Sequence, residues 1–230
     1  MKKAGIVGGM GPESTIPYYR DIVYGVQKIA GRDLFPNLTI ESIDVFKVLE
    51  YCEKQQFEEL CNYLMIAVNY LCKCDVDFIA LAANTPHIVY DRLIERSPVP
   101  IISIVEETAR EAQKKNLKKL GLMGTKFTMK GDYYKKPFIQ RNINIVTPNE
   151  AEMYYISEKI AGELEHGIIN MDTRANLYAI MDRMRQEEAI EGVILGCTEL
   201  PLIIDPSNSP VPCLDTMKIH IDSIIQCIVK

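Results

Sequence analysis

Short apolar runs alternate with longer amphipathic stretches along this chain. Residues 4–9, 38–44, 77–83, 99–104, 119–125, 143–148 and 192–197 are aliphatic or β-branched, and several are apolar at every position. That is the pattern of strands covered on both faces of a sheet. Between them, 14–31, 53–74, 103–116, 150–166 and 172–189 carry apolar residues at helical spacing and polar residues on the other side. Strand and helix in alternation predict βαβ units, and so an α/β fold built on parallel strands.

The pattern repeats. AGIVGG at 4–9 matches LGLMGT at 120–125, an offset of 116; DFIALAAN at 77–84 matches EGVILGCT at 191–198, an offset of 114. SPVP occurs at 97–100 and again at 209–212, each time entering a strand-like run. Three matches in one order at nearly one offset predict two α/β halves of like topology, each a parallel sheet flanked by helices. The expected division is 1–98 plus 213–230 for the first domain and 99–212 for the second.

Ligands of open parallel sheets bind beyond the carboxyl ends of the strands. Four segments follow strands and are rich in Gly, Thr, Asn or Cys: 8–15, 83–87, 124–129 and 196–200. If the halves face each other, Asn84/Thr85 and Cys197/Thr198 become equivalents on opposite walls of one cleft. The run Gly8-Gly9-Met10-Gly11-Pro12 has neither the third glycine of a dinucleotide loop nor the Gly-Lys-Ser/Thr of a Walker loop. Its backbone N–H groups could still meet a small anion such as a carboxylate. Cys197 follows a strand and precedes Thr198-Glu199, a place near a helix amino terminus where a thiol becomes more acidic and can act as base or nucleophile. A Cys-His-Asn hydrolase, with His87 or His220 as partner, is a competing arrangement. His87 is expected to pack or hydrogen-bond at its loop end, and His166 and His220 to lie on helix surfaces or behind the site.

Composition narrows the class. The 230 residues hold 26 Lys+Arg against 31 Asp+Glu, a net charge of −5, which argues against a nucleic-acid partner. No apolar run approaches the ~18–20 residues that span a bilayer, and the glycines of the first segment break any leader-like stretch. No membrane partner and a cytoplasmic location are expected. Seven cysteines, an odd count, fit reduced thiols. Cys72 and Cys74 form C-x-C without a second ligand pair, so no metal is expected, and Cys52, Cys61 and Cys72 read as small core hydrophobes. Two-fold association is the default for such a chain, with α-helical Ile16, Tyr18, Tyr19 and Ile22 as a candidate contact.

GIVGGMGPESTIPYY at 5–19, NTPH at 84–87, GTKFTM at 124–129 and GCTEL at 196–200 resemble the aspartate/glutamate racemase family in order and spacing over essentially the whole chain. The resemblance implies two similar α/β domains with the active site between them, an amino acid as small-molecule substrate, and no cofactor such as pyridoxal phosphate. It implies an isomerase in which two residues on opposite faces of the substrate, usually cysteines, exchange the α-proton. Those positions are 83 and Cys197. Met10, Asn84, Thr85, Thr125 and Thr198 match the family's substrate-holding positions. This chain departs from the pattern at Ala83, where a methyl group carries no proton. A weakened or one-base racemase, a one-base decarboxylase or lyase of the same fold, and an amino-acid-binding protein are the readings that follow. A second departure concerns charge: Lys47 is the available cation for a second substrate carboxylate, and Glu165, read as solvent-facing, stands where some aspartate racemases resembling this chain carry lysine.

Overall fold

The computed structural model describes residues 1–31 and 33–230. It divides into two compact units, Met1–Glu107 with Met217–Lys230, and Thr108–Thr216. The first contains β1 (Ala4–Gly8), α1 (Pro12–Ala30), β2 (Leu38–Ser42), α2 (Val45–Glu53), α3 (Phe57–Lys73), β3 (Phe78–Leu81), a 3-10 turn over Thr85–Val89, α4 (Tyr90–Arg96) and β4 (Ile101–Ile102). α5 (Ile104–Lys114) carries the chain across the boundary. The second contains β5 (Lys119–Met123), α6 (Lys126–Lys130), α7 (Asp132–Ile139), β6 (Asn144–Val146), α8 (Glu150–Gly162), a 3-10 turn over Leu164–His166, α9 (Met171–Glu188), β7 (Gly192–Leu195), α10 (Leu200–Ile203) and β8 (Cys213–Asp215). α11 (Thr216–Val229) then returns to the first unit.

Each unit is one four-stranded parallel sheet, ordered β2-β1-β3-β4 and β6-β5-β7-β8. The sequence repeat reappears bond by bond. Ala4 pairs with Phe78 as Leu120 pairs with Gly192. Ala82 N–H donates to the Val7 carbonyl at 2.9 Å, and Gly196 N–H to Met123 at 2.7 Å. The two SPVP segments make the same serine turn, Ser97 Oγ to the Val99 carbonyl and Ser209 Oγ to Val211, both at 2.7 Å. Each turn delivers the last strand of its own sheet. β4 therefore belongs with the first sheet and β8 with the second, so the units change over at 107/108 and 216/217 and not at the expected 98/99 and 212/213.

The first unit's core packs Ala4 and Ile6 of β1, Phe78 and Ala80 of β3, Tyr18, Ile22 and Val26 of α1 and Ile221, Ile224, Ile225 and Ile228 of α11. Burying each large aliphatic of this kind contributes roughly 1.5–3 kcal/mol. α1 and α11 approach so closely at Gly25 that a Cβ there would meet the end of Ile225. Tyr18 and Ile22 are consumed by this core, and only Ile16 and Tyr19 of the expected α1 contact stay exposed. Cys52 and Cys61 are buried, while Cys72 is half-buried.

Several helix limits differ from the periodicity. The expected 53–74 segment is α3 alone, preceded by a separate α2 that starts because Asp44 Oδ1 accepts the Phe46 N–H at 2.9 Å. The expected 150–166 segment ends as α-helix at Gly162 and finishes in the 3-10 turn, closed by Gly167 at φ 69°. Its start is well specified: Asn149 and Glu152 form a reciprocal capping box. Among the described residues no helix is long and apolar enough to cross a membrane.

Candidate active site

All strands of a unit run the same way, so the loops after β1 and β3 share one edge of the first sheet, as those after β5 and β7 do in the second. The expected site residues fall into two sets on these edges. Met10, Ala83, Asn84 and Thr85 belong to the first unit, and Thr125, Cys197 and Thr198 to the second.

In the first unit the chain leaves β1 through Gly9 at φ 79°. A side chain there would strike the Ile43 carbonyl at the end of β2. Gly9 N–H, expected to be open to an anion, instead donates to Thr15 Oγ1 at 3.0 Å, and that hydroxyl donates on to the Gly11 carbonyl at 2.9 Å. The loop is tied to its own helix. After β3, Ala83 and Asn84 are buried and Thr85 opens the 3-10 turn. His87 fixes this loop: its Nδ1–H donates to the Ala83 carbonyl at 3.0 Å, and its ring stacks on Tyr90 at 5.5 Å. Its Nε2 is buried with no hydrogen-bond partner among the described residues, and burial pulls its pKa down to about 4. Of the two places expected for His220, burial excludes the helix surface. The ring is fully buried, accepting from Tyr18 Oη at Nδ1 (2.7 Å) and donating from Nε2 to the Ile102 carbonyl (3.0 Å). Burial, with His87 nearby, holds it at about 3. Both imidazoles belong to the first unit and Cys197 to the second. Lys47, in the first turn of α2, holds its ammonium over the Tyr63 ring, 5.6 Å from the centroid.

In the second unit the two edge loops touch: a Cβ on Gly124 would meet the Gly196 carbonyl oxygen at 2.9 Å. Thr125 caps α6, its Oγ1 accepting Thr128 N–H at 3.3 Å. Cys197, Thr198 and Glu199 are all buried, at 6%, 4% and 5% exposure. The chain curls at Glu199 (φ −90°, ψ −18°) ahead of α10, which returns its carboxylate to the residues before it. Cys197 Sγ–H donates to Glu199 Oε2 at 2.8 Å, and Thr198 Oγ1 lies 3.0 and 2.9 Å from the two carboxylate oxygens.

This arrangement reverses the expected acidity of Cys197. α10 has only four residues, and the thiol is pushed well above its ordinary value by burial first, then by Glu199 and, further off, Glu165. The sulfur rests protonated, able to give a proton to a carbanion. To remove one it must first lose its own. The hydroxyl proton of Thr198, expected to serve a substrate, is committed to Glu199. Glu165 is exposed, as read from the sequence, yet its carboxyl is raised by partial desolvation and by Glu199. The 3-10 turn that carries it packs against α10. Glu199 is the site residue that sequence reasoning passed over. Its signal was available as a carboxylate two residues after the candidate thiol. Among the described residues no group of three His, Cys, Asp or Glu is placed to hold a metal ion.

Comparison with known proteins bears on this geometry. The Asp/Glu/Hydantoin racemase family model matches residues 7–224. The chain is 28% identical over 216 residues to a broad specificity amino-acid racemase, RacX, of Bacillus subtilis (strain 168), covering 92% of each sequence. Among solved structures it is similar to an aspartate racemase homologue from Pyrococcus horikoshii OT3, at 34% identity and TM-score 0.83 with both chains covered in full. It is also similar to a candidate Asp/Glu racemase from Yersinia pestis, at 28% identity and TM-score 0.92, again over all of both chains. Duplicated parallel sheets, the thiol at the end of β7 and a match over nearly the whole length converge: the chain belongs to the Asp/Glu/Hydantoin racemase family.

Proposed function

We propose that this protein exchanges the α-proton of free amino acids, with Cys197 acting at the α-carbon and position 83 standing where a second acid/base would act. The supporting observation is a buried thiol already hydrogen-bonded to a carboxylate at the carboxyl edge of the second sheet, in a chain of this family. Asn84, Thr85 and Thr125 hold the substrate's polar groups and stabilise charge as the α-carbon loses its proton. Met10 lines the first loop. No cofactor is required.

Ala83 favours proton exchange on one face over full inversion, because a methyl group neither takes nor gives a proton. It also favours the second reading, a one-base decarboxylase or lyase. Glu199 and Glu165 oppose a second substrate carboxylate near Cys197, so neutral and basic amino acids are the better substrates, in line with the broad specificity of the Bacillus relative. A homodimer through the exposed Ile16 and Tyr19 completes the proposal.

The test is proton NMR in deuterated buffer with both enantiomers of alanine, lysine, aspartate and glutamate. The native protein should exchange the α-proton of one enantiomer faster than it inverts it. Ala83→Cys should raise inversion by roughly 10²–10⁴-fold, the usual contribution of a positioned acid or base. Cys197→Ala should abolish exchange. Unchanged inversion in Ala83→Cys would remove position 83 from the mechanism.

A further inference from the structure

A buried carboxylate ordinarily finds a cation. Glu199 has none: among the described residues it pairs with no Lys or Arg, and its partners are the Cys197 thiol and the Thr198 hydroxyl. Three oxygens and a sulfur on three consecutive buried residues are thus bonded to one another with no cation among them. The thiol proton already points along a 2.8 Å line to Oε2.

We propose that Glu199 is the resident proton acceptor of Cys197, the positioning residue that makes the thiol competent to remove a substrate proton. The Sγ–H bond breaks as an O–H bond forms on Oε2, leaving a thiolate beside a neutral carboxylic acid. The sulfur lone pair then takes the α-proton, and the electron pair of the broken Cα–H bond stays on the substrate. In the return step S–H gives its proton to the carbanion and the Glu199 acid returns its own proton to sulfur. The inference rests on the reading of Cys197 as the group that acts at the α-carbon.

Charge decides between this route and loss of the thiol proton to water. Moving the proton within the pair keeps its net charge at −1, whereas losing it to solvent leaves two anions side by side out of water. The second is the costlier state in a site this buried. Thr198 contributes by holding the carboxylate in the orientation that receives the proton.

The test compares native protein, Glu199→Gln, Glu199→Asp and Cys197→Ala. Two readouts are taken: deuterium incorporation into the alanine and lysine enantiomers, and thiolate ultraviolet absorbance against pH with the Cys197→Ala signal subtracted. Glu199→Gln removes an anion, so the Cys197 thiolate should form at lower pH than in the native protein. Exchange should nevertheless fall at least about 10²-fold, the contribution of a lost proton acceptor, and Glu199→Asp should recover part of it. A purely electrostatic or packing role predicts the opposite sign: more thiolate and faster exchange. Exchange that rises with the thiolate fraction in Glu199→Gln, or is unchanged in both variants, overturns the proposal. Should Glu199→Gln fail to fold, native-level exchange in Glu199→Asp, with a pH profile unmoved, overturns it equally. Exchange surviving in Cys197→Ala would instead overturn the reading of Cys197, and no exchange by the native protein overturns both.

Discussion

Acidification should unfold the first unit through two histidines, in a pH range above that of the carboxylates. His87 and His220 are both fully buried, with pKa values lowered by burial to about 4 and about 3 from 6.5. In each case burial disfavours the charged ring and outweighs the backbone carbonyl hydrogen bonds that favour it. His220 Nδ1 accepts from Tyr18 Oη, and protonation would oblige that hydroxyl to turn and accept instead. A proton added to Nε2 of His87 would meet no acceptor among the described residues. The folded pKa values lie below the unfolded ones, so the unfolded chain binds more protons throughout the interval. Stability is full above about pH 6.5 and declines as the pH falls toward 4. Each unit of pH costs about 1.4 kcal/mol per histidine, so the pair should remove about 4 kcal/mol by pH 5. That is a large part of the ~5–15 kcal/mol by which a domain is ordinarily stable.

Urea denaturation at pH 7.5, 6.5, 5.5 and 5.0, followed by circular dichroism, measures this slope. The double variant His87→Asn/His220→Gln keeps the Nδ1 and Nε2 donors of the two rings in amide form and should flatten the profile over this range. Depressed carboxyls such as Glu163 and Asp205 lose their contribution only as the pH falls below their ordinary values of 4.5 and 3.8, outside the window. Glu165, which is raised, works in the opposite direction but is exposed and screened. A native profile that is flat between pH 6.5 and 5.0 refutes the argument, as does an unflattened one in the double variant.

Three further outcomes follow from the packing. Arg183 ties α8 to α9 through Glu152 at 2.6 Å and also reaches Glu187 and Glu188, at 3.0 and 3.1 Å, so Arg183→Met should cost about 1–3 kcal/mol in urea denaturation, less in high salt. Ile22→Ala, at a fully buried position between α1 and the first sheet, should cost about 2–5 kcal/mol; a loss under 1 kcal/mol would contradict the packing described. Sedimentation should give a dimer that Ile16→Glu weakens, and a monomer at all concentrations disposes of that contact.

Much of the architecture was readable because it was written twice. The pairs 4–9 with 120–125 and 77–84 with 191–198 gave the strands, and the two serine turns at Ser97 and Ser209 led into the strands that close each sheet. The periodicity gave no warning of α11. Its face carries Ile221, Ile224, Ile225 and Ile228 together with Ile219 and Val229, so it is apolar around much of its circumference and shows no sharp alternation. α2 was hidden for another reason: a single Asp44 cap separates it from β2, and periodicity does not register caps. The boundary error came from assigning β4 and β8 by sequence position, when pairing assigns them to the strands they touch.

The sequence placed Cys197 as a candidate but did not show its electrostatic state. Spacing alone placed Cys197 after a strand and before a helix, and that placement argued for an acidic thiol. Two facts reversed it. The helix is too short to act as a dipole, and the residue after next folds its carboxylate back onto the sulfur. A linear reading treats Glu199 as the first polar residue of the next element, because it does not show the turn at φ −90° and ψ −18° that brings residue 199 back over residue 197. The same duplication shows how the two equivalent loops diverged. At the end of β3 the equivalent loop has Ala83 in place of the thiol, and its local polar partner is an imidazole bound to the Ala83 carbonyl rather than a carboxylate bound to a side chain. One loop is thus built to hold a shape and the other to hold a proton. That difference in hydrogen bonding, beyond the lost sulfur, is why a thiol introduced by Ala83→Cys should lack the local carboxylate partner that Cys197 has, and why kcat for inversion in that variant should depend on pH differently in the two directions.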